Sequence, residues 1–303
     1  MTYDQYGDDS VLTLSDRPRP KVGPDEVLVR VHAASVNPVD WKVMSGGLDA
    51  LMDVRFPAVP GWDVAGVVEE LGIDVPEVEV GEEVIAYARK DYVHGGTFAE
   101  YVAVPVRALA PKPATASWAE AGGLPLTGLT ALQALERLGV GPGDTVLLHG
   151  ASGGVGSMGV QIARALGAER VIGTASTAQH ERLRALGADP VEHDDVEAIR
   201  ALAPQGVDVV LDFAGGTIET TRAVAADGAR LASIADPQIQ ELGGTWLWVR
   251  PDAAGLSRLS RMVDEGVLRV EVEAEYALED LAEAFGRSRE GHVHGKLVVR
   301  VAD

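Results

Sequence analysis

Between Val146 and Ala168 the chain reads VLLHGASGGVGSMGVQIARALGA: a short apolar run, a cluster of glycines, then a stretch rich in Ala, Val, Ile and Gln. Apolar strand, tight glycine turn and helix together form the first half of a βαβ unit. Glycine is required where backbone approaches a pyrophosphate and where a helix packs closely on a strand. The exposed N–H groups at the start of such a helix favour phosphate oxygens. Read strictly, the G-x-G-x-x-G fingerprint is one glycine short, because Ala151 holds its first position, while Gly153 and Gly156 match and Gly150, Gly154 and Gly159 are additional. A turn that merely packs would look similar; its place inside a βαβ pattern favours a dinucleotide site built on Ser152, Gly153, Gly154, Val155 and Gly156.

Around this unit, strands alternate with helices: TVLLHG, the helix after Gly154, VIGTAS, a helix through Arg182–Leu186, VDVVLDFAGG, TIETTRAVAA and ARLASIA. That alternation predicts a parallel sheet with right-handed crossovers. The first third reads differently, as strands EVLVRVHAASV, VAGVVEEL, EEVIAYA and FAEYVAVP separated by Gly, Pro and Asp turns. Near residue 115 the pattern becomes helical in two pieces, broken at Gly122–Gly123 and Pro125. From about residue 250 it returns to mixed helix and strand, ending in KLVVRV. The expected fold is α/β: a β-rich domain from both chain ends (1–115 and 250–303), with a doubly wound domain (116–249) inserted between them.

Composition limits the partners. At 303 residues the chain can bury two cores, and its 46% hydrophobic and 24% charged residues are ordinary for a soluble protein. A net charge of −20 argues against nucleic acid and against anionic membrane surfaces. The opening MTYDQYGDDS lacks the layout of a signal peptide and no apolar run reaches membrane-spanning length, so a cytoplasmic location is expected. There is no cysteine, which removes disulfides and thiolate metal ligands.

The strand after the glycine turn decides which dinucleotide fits. An NAD site usually places Asp or Glu about 20 residues on, to bind the ribose 2′-hydroxyl. Here that strand runs into Gly173-Thr174-Ala175-Ser176-Thr177 without a carboxylate, and His180 and Arg182 follow. A hydroxyl and a guanidinium suit a 2′-phosphate. Arg182 could equally be an exposed helix residue; the absent acid carries the argument, and NADPH is the expected cofactor, with Ser176, His180 and Arg182 at its phosphate.

The segments ASVNPVDWK (34–42), VPGWDVAG (59–66), GGTFAEYV (95–102), GLPLTGLTAL (123–132), HGASGGVG, LDFAGG (211–216) and GHVHGKLVV resemble the medium-chain dehydrogenases/reductases. Within that superfamily they resemble the zinc-free, zeta-crystallin-like NADPH quinone and enone oxidoreductases. The resemblance covers nearly the whole chain. It implies a GroES-like catalytic domain, a Rossmann cofactor domain and an active site in the cleft between them. Zinc-dependent relatives use a cysteine and the histidine of a G-H-E motif; here Asn37 lies in the cysteine region and Gly61-Trp62-Asp63 replaces G-H-E. No metal site is therefore expected, and the His292-x-His294 pair reads as a solvated loop. Without a Lewis acid the acceptor must be electrophilic by itself, as quinones and α,β-unsaturated carbonyls are. Rivals are a dedicated enoyl-thioester or alkenal reductase, and a protein that binds NADPH without turnover.

The resemblance places Asn37, Asp40 and Lys42 at the reacting centre. Asn37 could instead cap a helix, and Lys42 could reach solvent. Trp62 is either pocket wall or core. The same comparison puts Thr127 beside the nicotinamide. It puts Phe213, Gly215 and Ser233 at strand ends facing the cofactor, and Lys296 at a cofactor phosphate unless it is a surface lysine. Thr245-Trp246-Leu247-Trp248-Val249 reads as an outer strand of the cofactor sheet, and the expected assembly is a homodimer paired through it.

Overall fold

The computed structural model describes residues 1–302. Strand β1 (Glu26–Val36) is a nearly continuous apolar run, buried along most of its length. Helix α1 (Pro38–Met44) follows with Pro38 in its first turn, where a missing N–H costs nothing. Strands β2 (Asp63–Leu71), β3 (Glu83–Tyr87), β4 (Tyr101–Pro105) and β5 (Leu109–Pro111) come next. Helix α2 (Trp118–Gly123) opens on a capping box of Ser117 and Glu120, and α3 restarts at proline (Pro125–Arg137). The alternating region comprises β6 (Thr145–His149), α4 (Gly154–Ala165), β7 (Arg170–Thr174) and α5 (His180–Leu186). It continues through β8 (Asp189–Val191), α6 (Val196–Leu202), β9 (Val207–Asp212), α7 (Ile218–Val224), β10 (Ala225–Ser233) and β11 (Thr245–Trp246). Helix α8 (Ala253–Asp264), β12 (Val272–Ala277), α9 (Leu281–Glu290) and β13 (Lys296–Arg300) close the chain.

Two compact units result. The first takes Met1–Leu129, Pro251–Gly266 and the chain from Val270 onward; the second takes Thr130–Arg250 and Val267–Arg269. The dividing line falls inside α3, not at residue 116 where the strand pattern gives way to helix. The reason is packing: Ala119 of α2 lies in one apolar cluster with Ala33 and Val298, and Gly122 backs onto Ala33 so closely that a Cβ would stand 3.1 Å from it.

In the first unit the sheet runs β12-β13-β1-β2-β3-β5, with β4 also paired to β1. Strand β1 pairs β4 over Glu26–Arg30, β13 over Ala33–Val36, and β2 along its other edge. Two registers matter for the site. Val36 opposes Leu297, which brings Lys296 beside Asn37, and Ala33 opposes Ala65, which carries Asp63 toward Ser35.

The second unit is a parallel six-stranded sheet in the order β11-β10-β9-β6-β7-β8. Its order reverses between β6 and β9, the switch point of a doubly wound sheet. Leu147, Ile172, Val207, Val210 and Leu231 from the strands join Ile199, Ile218 and Val224 from the helices in its core. Two details differ from the sequence expectation. TIETTRAVAA leaves the helix after Val224 and enters β10 at Ala225. The outer strand pairs only at Thr245 and Trp246, extended by one bond from Leu247 N to Ser233 O (2.8 Å). Among the described residues no helix is long and apolar enough to cross a membrane.

Candidate active and cofactor sites

In the first unit, the end of β1, the start of β2 and the start of β13 bring five polar side chains together: Ser35, Asn37, Asp40, Asp63 and Lys296, each at most 3% exposed. The Asp63 carboxylate accepts from Ser35 Oγ (2.7 Å) and Asn37 Nδ2 (2.8 Å) on one oxygen, and from the Leu126 amide (2.7 Å) on the other. The Lys296 ammonium donates to Asn37 Oδ1 (2.6 Å) and to the Val36 carbonyl (3.2 Å). The Asn37 amide thus relays between an ammonium and a carboxylate, and both of its ends are committed. Asn37 stands at the N-cap position of α1, and its side-chain oxygen accepts from the Lys296 ammonium. Asp40 closes the turn from inside the helix, its Oδ2 accepting from the Asn37 N–H (2.8 Å).

Two carboxyls face one ammonium in this cluster, so charge balance favours one carboxyl staying protonated. Asp63, with three donors, is the better carboxylate; its pKa is still raised, by burial above all. Asp40 has one donor, and its Oδ1 is buried without a hydrogen-bond partner. Burial, reinforced by the charge of Asp63, pushes its pKa up to about 8. Burial lowers the pKa of Lys296, against the pull of Asp63 and Asp40. A buried ammonium beside a carboxylate whose two oxygens are already bonded is the wrong donor set for zinc. Among the described residues no group of three or more His, Asp or Glu side chains could hold a metal ion.

The remaining first-unit candidates are Lys42, Trp62 and Thr127. Lys42 is exposed on α1, its ammonium 5.5 Å from the Trp41 ring centre. Trp62 is 6% exposed and packs edge-on against Tyr87 at 6.1 Å. The Thr127 hydroxyl donates back to the Gly123 carbonyl (2.8 Å). Sequence reasoning placed Lys296 at a cofactor phosphate or on the surface. The structure commits its ammonium to Asn37 and Val36 in the interior, because the β1–β13 register puts its stem inside the sheet.

In the second unit, Gly150 turns with φ +70° at the end of β6, and Gly153 caps α4. A Cβ on Gly156 would come within 2.6 Å of Ala151 Cα and closer still to the Gly150 carbonyl oxygen, so only glycine lets the helix start this close to the strand. Thr174, at the end of β7, holds the turn by accepting from Gly150 N on its hydroxyl (3.2 Å) and from Ala151 N on its carbonyl (3.0 Å). Ser152, Gly153, Gly154 and Val155 remain partly exposed there. The cradle fits a pyrophosphate, with a tight backbone and free amides at a helix start. Arg182 reaches back from α5 to donate to the Ser152 carbonyl (3.0 Å), and His180 Nε2 lies 3.2 Å from the Ala175 carbonyl, with Ser176 exposed between. The structure therefore brings the glycine turn, Ser176, His180 and Arg182 to one sheet edge.

Three contributors escaped the sequence reading. Glu192, just beyond β8, accepts from the Thr177 amide (2.8 Å) and from the Thr177 hydroxyl, so an acid does stand near the end of β7, supplied by a different strand. Asp63 and Asp212 are fully buried acids, and each shows in the sequence as a charge set within an apolar run. That signal could have found both. Phe213 and Gly215 lie at the carboxyl end of β9, with Ser233 beside them in β10 register.

Comparison with known proteins identifies the family. Residues 23–114 match the alcohol dehydrogenase GroES-like domain and residues 186–299 the zinc-binding dehydrogenase family. The chain is 35% identical to an NADPH-dependent alkenal/one oxidoreductase of Arabidopsis thaliana, over 98% of this chain and 78% of that protein. It is 33% identical to a 2-methylene-furan-3-one reductase of Solanum lycopersicum, with the same shares covered. A solved quinone oxidoreductase from Coxiella burnetii superposes with a TM-score of 0.90 at 33% identity, covering 99% of this chain and 98% of that one. The chain belongs to the medium-chain dehydrogenase/reductase family, alongside its quinone and alkenal oxidoreductases.

Proposed function

We propose that the protein reduces quinones or α,β-unsaturated carbonyls with NADPH and without a metal. The observation that carries this reading is the Asp63–Asn37–Lys296 network. It fills the region of the zinc ligands in metal-dependent relatives with an ammonium and fully bonded acceptors. Bound NADPH supplies the hydride. An acceptor whose negative charge delocalises onto an enolate or hydroquinone oxygen needs no Lewis acid, only placement and donors.

The chain's own residues divide into two tasks. Asn37 and Asp40, buried and internally bonded, act as positioning residues: with Asp63 and Lys296 they fix where α1 leaves β1. Lys42 and Trp62 are the side chains proposed to meet the acceptor, the first as an exposed cation for a developing oxyanion, the second as a wall. The turn from Ser152 to Gly156 holds the pyrophosphate, and Arg182 with Ser176 and His180 holds the 2′-phosphate. Arg182→Ala is expected to weaken NADPH binding about tenfold while leaving NADH nearly unchanged, the size of one lost charge-assisted contact. Dissociation constants for both nucleotides check this, and a parallel loss would remove the assignment.

The test of the activity is NADPH oxidation followed across quinones, enones, alkenals, enoyl thioesters and saturated ketones. Turnover of the quinones or the activated double bonds supports the reading. Turnover confined to enoyl thioesters would reassign the substrate, and turnover of saturated ketones alone would contradict the reading. We propose further that two copies join through β11. What supports this is an edge strand with Trp246 44% and Trp248 41% exposed.

A further inference from the structure

Asp212 and Ser233 form a closed hydrogen-bond hub at the carboxyl ends of β9 and β10. Their Cα atoms are register partners, and they are 0% and 1% exposed. Asp212 Oδ1 accepts from the amides of Ala214 (3.0 Å) and Gly215 (2.8 Å), and Oδ2 accepts from Ser233 Oγ (2.7 Å). Ser233 Oγ in turn accepts from the amides of Ala235 (3.0 Å) and Asp236 (2.8 Å). A hydroxyl has one proton and two lone pairs, and all three are used. The Ser233 hydroxyl is therefore fully used within the protein, where the sequence reading expected Ser233 at the cofactor.

The hub fixes two turns at once. Residues 213–216 need left-handed backbone at Gly215 (φ +88°) and Gly216 (φ +73°), and they are pinned through Asp212. The Phe213 ring lies against Gly159 of α4, where a Cβ would stand 3.2 Å from it. Among the described residues no salt bridge reaches Asp212; its neighbour on β6 is His149, buried, held well below the usual imidazole pKa by that burial, and 3.3 Å from the Thr221 hydroxyl. Its oxygens are taken up by two amides and a hydroxyl.

The sheet's switch point says which part of the ligand these turns face. A dinucleotide crosses the crevice between β6 and β9, with its pyrophosphate on the turn after β6 and its adenosine ribose toward the end of β7. The nicotinamide half must then extend over β9 and β10. Resting on the NADPH reading above, we propose that Asp212 and Ser233 are positioning residues that hold the 213–216 and 234–236 turns in shape for the nicotinamide half of the cofactor.

The test compares NADPH with 2′,5′-ADP, which keeps the adenosine half and lacks the nicotinamide. Asp212→Asn replaces an acceptor with two donors against a hydroxyl whose lone pairs are already taken, so the hub must open. Expected is a dissociation constant for NADPH raised about tenfold, and for 2′,5′-ADP changed less than about twofold. Ser233→Ala is expected to show the same selectivity at a few-fold size, and it decides alone where Asp212→Asn does not fold. Unchanged NADPH binding in the folded variants, or losses of equal size for both ligands, overturns the proposal. Failure of the wild-type protein to bind either ligand would instead remove the cofactor reading on which it rests.

Discussion

At Asp40 one carboxyl oxygen is bonded to the Asn37 amide and the other faces no donor, in a pocket that also holds Asp63 and Lys296. Burial raises its pKa to about 8, against about 3.9 in an unfolded chain. Between those values the unfolded state has released the proton and the folded state keeps it. Asp40 therefore favours folding fully below about pH 4, and stability falls by up to ~1.4 kcal/mol per pH unit toward pH 8. Lys296, lowered by burial, works in the opposite sense at alkaline pH, but it is common to wild type and variant. Asp40→Asn keeps an acceptor for Asn37 N and removes the titration. The melting temperature of the variant minus that of wild type is expected to rise from pH 5 to pH 8. A difference that stays flat, measured by thermal unfolding at matched ionic strength, would mean that Asp40 is not the buried acid.

Among the elements, α4 depends most visibly on a single position. Gly156 meets the Gly150–Ala151 backbone where any Cβ would overlap, so Gly156→Ala must push the helix start away from β6. The expected result is loss of NADPH affinity by more than about tenfold together with a stability cost of ~1–3 kcal/mol. Titration of the nucleotide and a denaturant midpoint read the two effects, and an unaltered affinity would show that the turn is not the cradle. This turn was legible in the sequence because only glycine does what its geometry needs. So were β1, β6 and β9, whose apolar runs have the length of strands. Less legible were β8 and α6, of three and seven residues, where charged and proline-bearing sequence hides a short strand and a short helix. The outer strand was visible in TWLWV, but only its first two residues enter the ladder, with Leu247 buried between the exposed Trp246 and Trp248.

For the whole molecule, the edge carrying those tryptophans predicts a dimer. Light scattering at micromolar concentration is expected to give twice the 31.8 kDa of one chain, and Trp248→Glu to shift it toward that single mass. A wild-type monomer would refute the pairing. The site itself was only half legible. Sequence could nominate Asn37, Asp40 and Lys296 separately, but what joins them is the strand register that sets Leu297 opposite Val36 and Asp63 near Ser35. No spacing in the chain reveals that long-range pairing. It turns a supposed phosphate ligand into the partner of Asn37. The most direct test is the rate of NADPH oxidation by a quinone or enone acceptor after exhaustive chelation, with residual zinc measured on the same sample. The account predicts a rate within about twofold of the untreated enzyme, since less than ~0.5 kcal/mol of barrier should be at stake. Loss of activity that returns with stoichiometric zinc would contradict it.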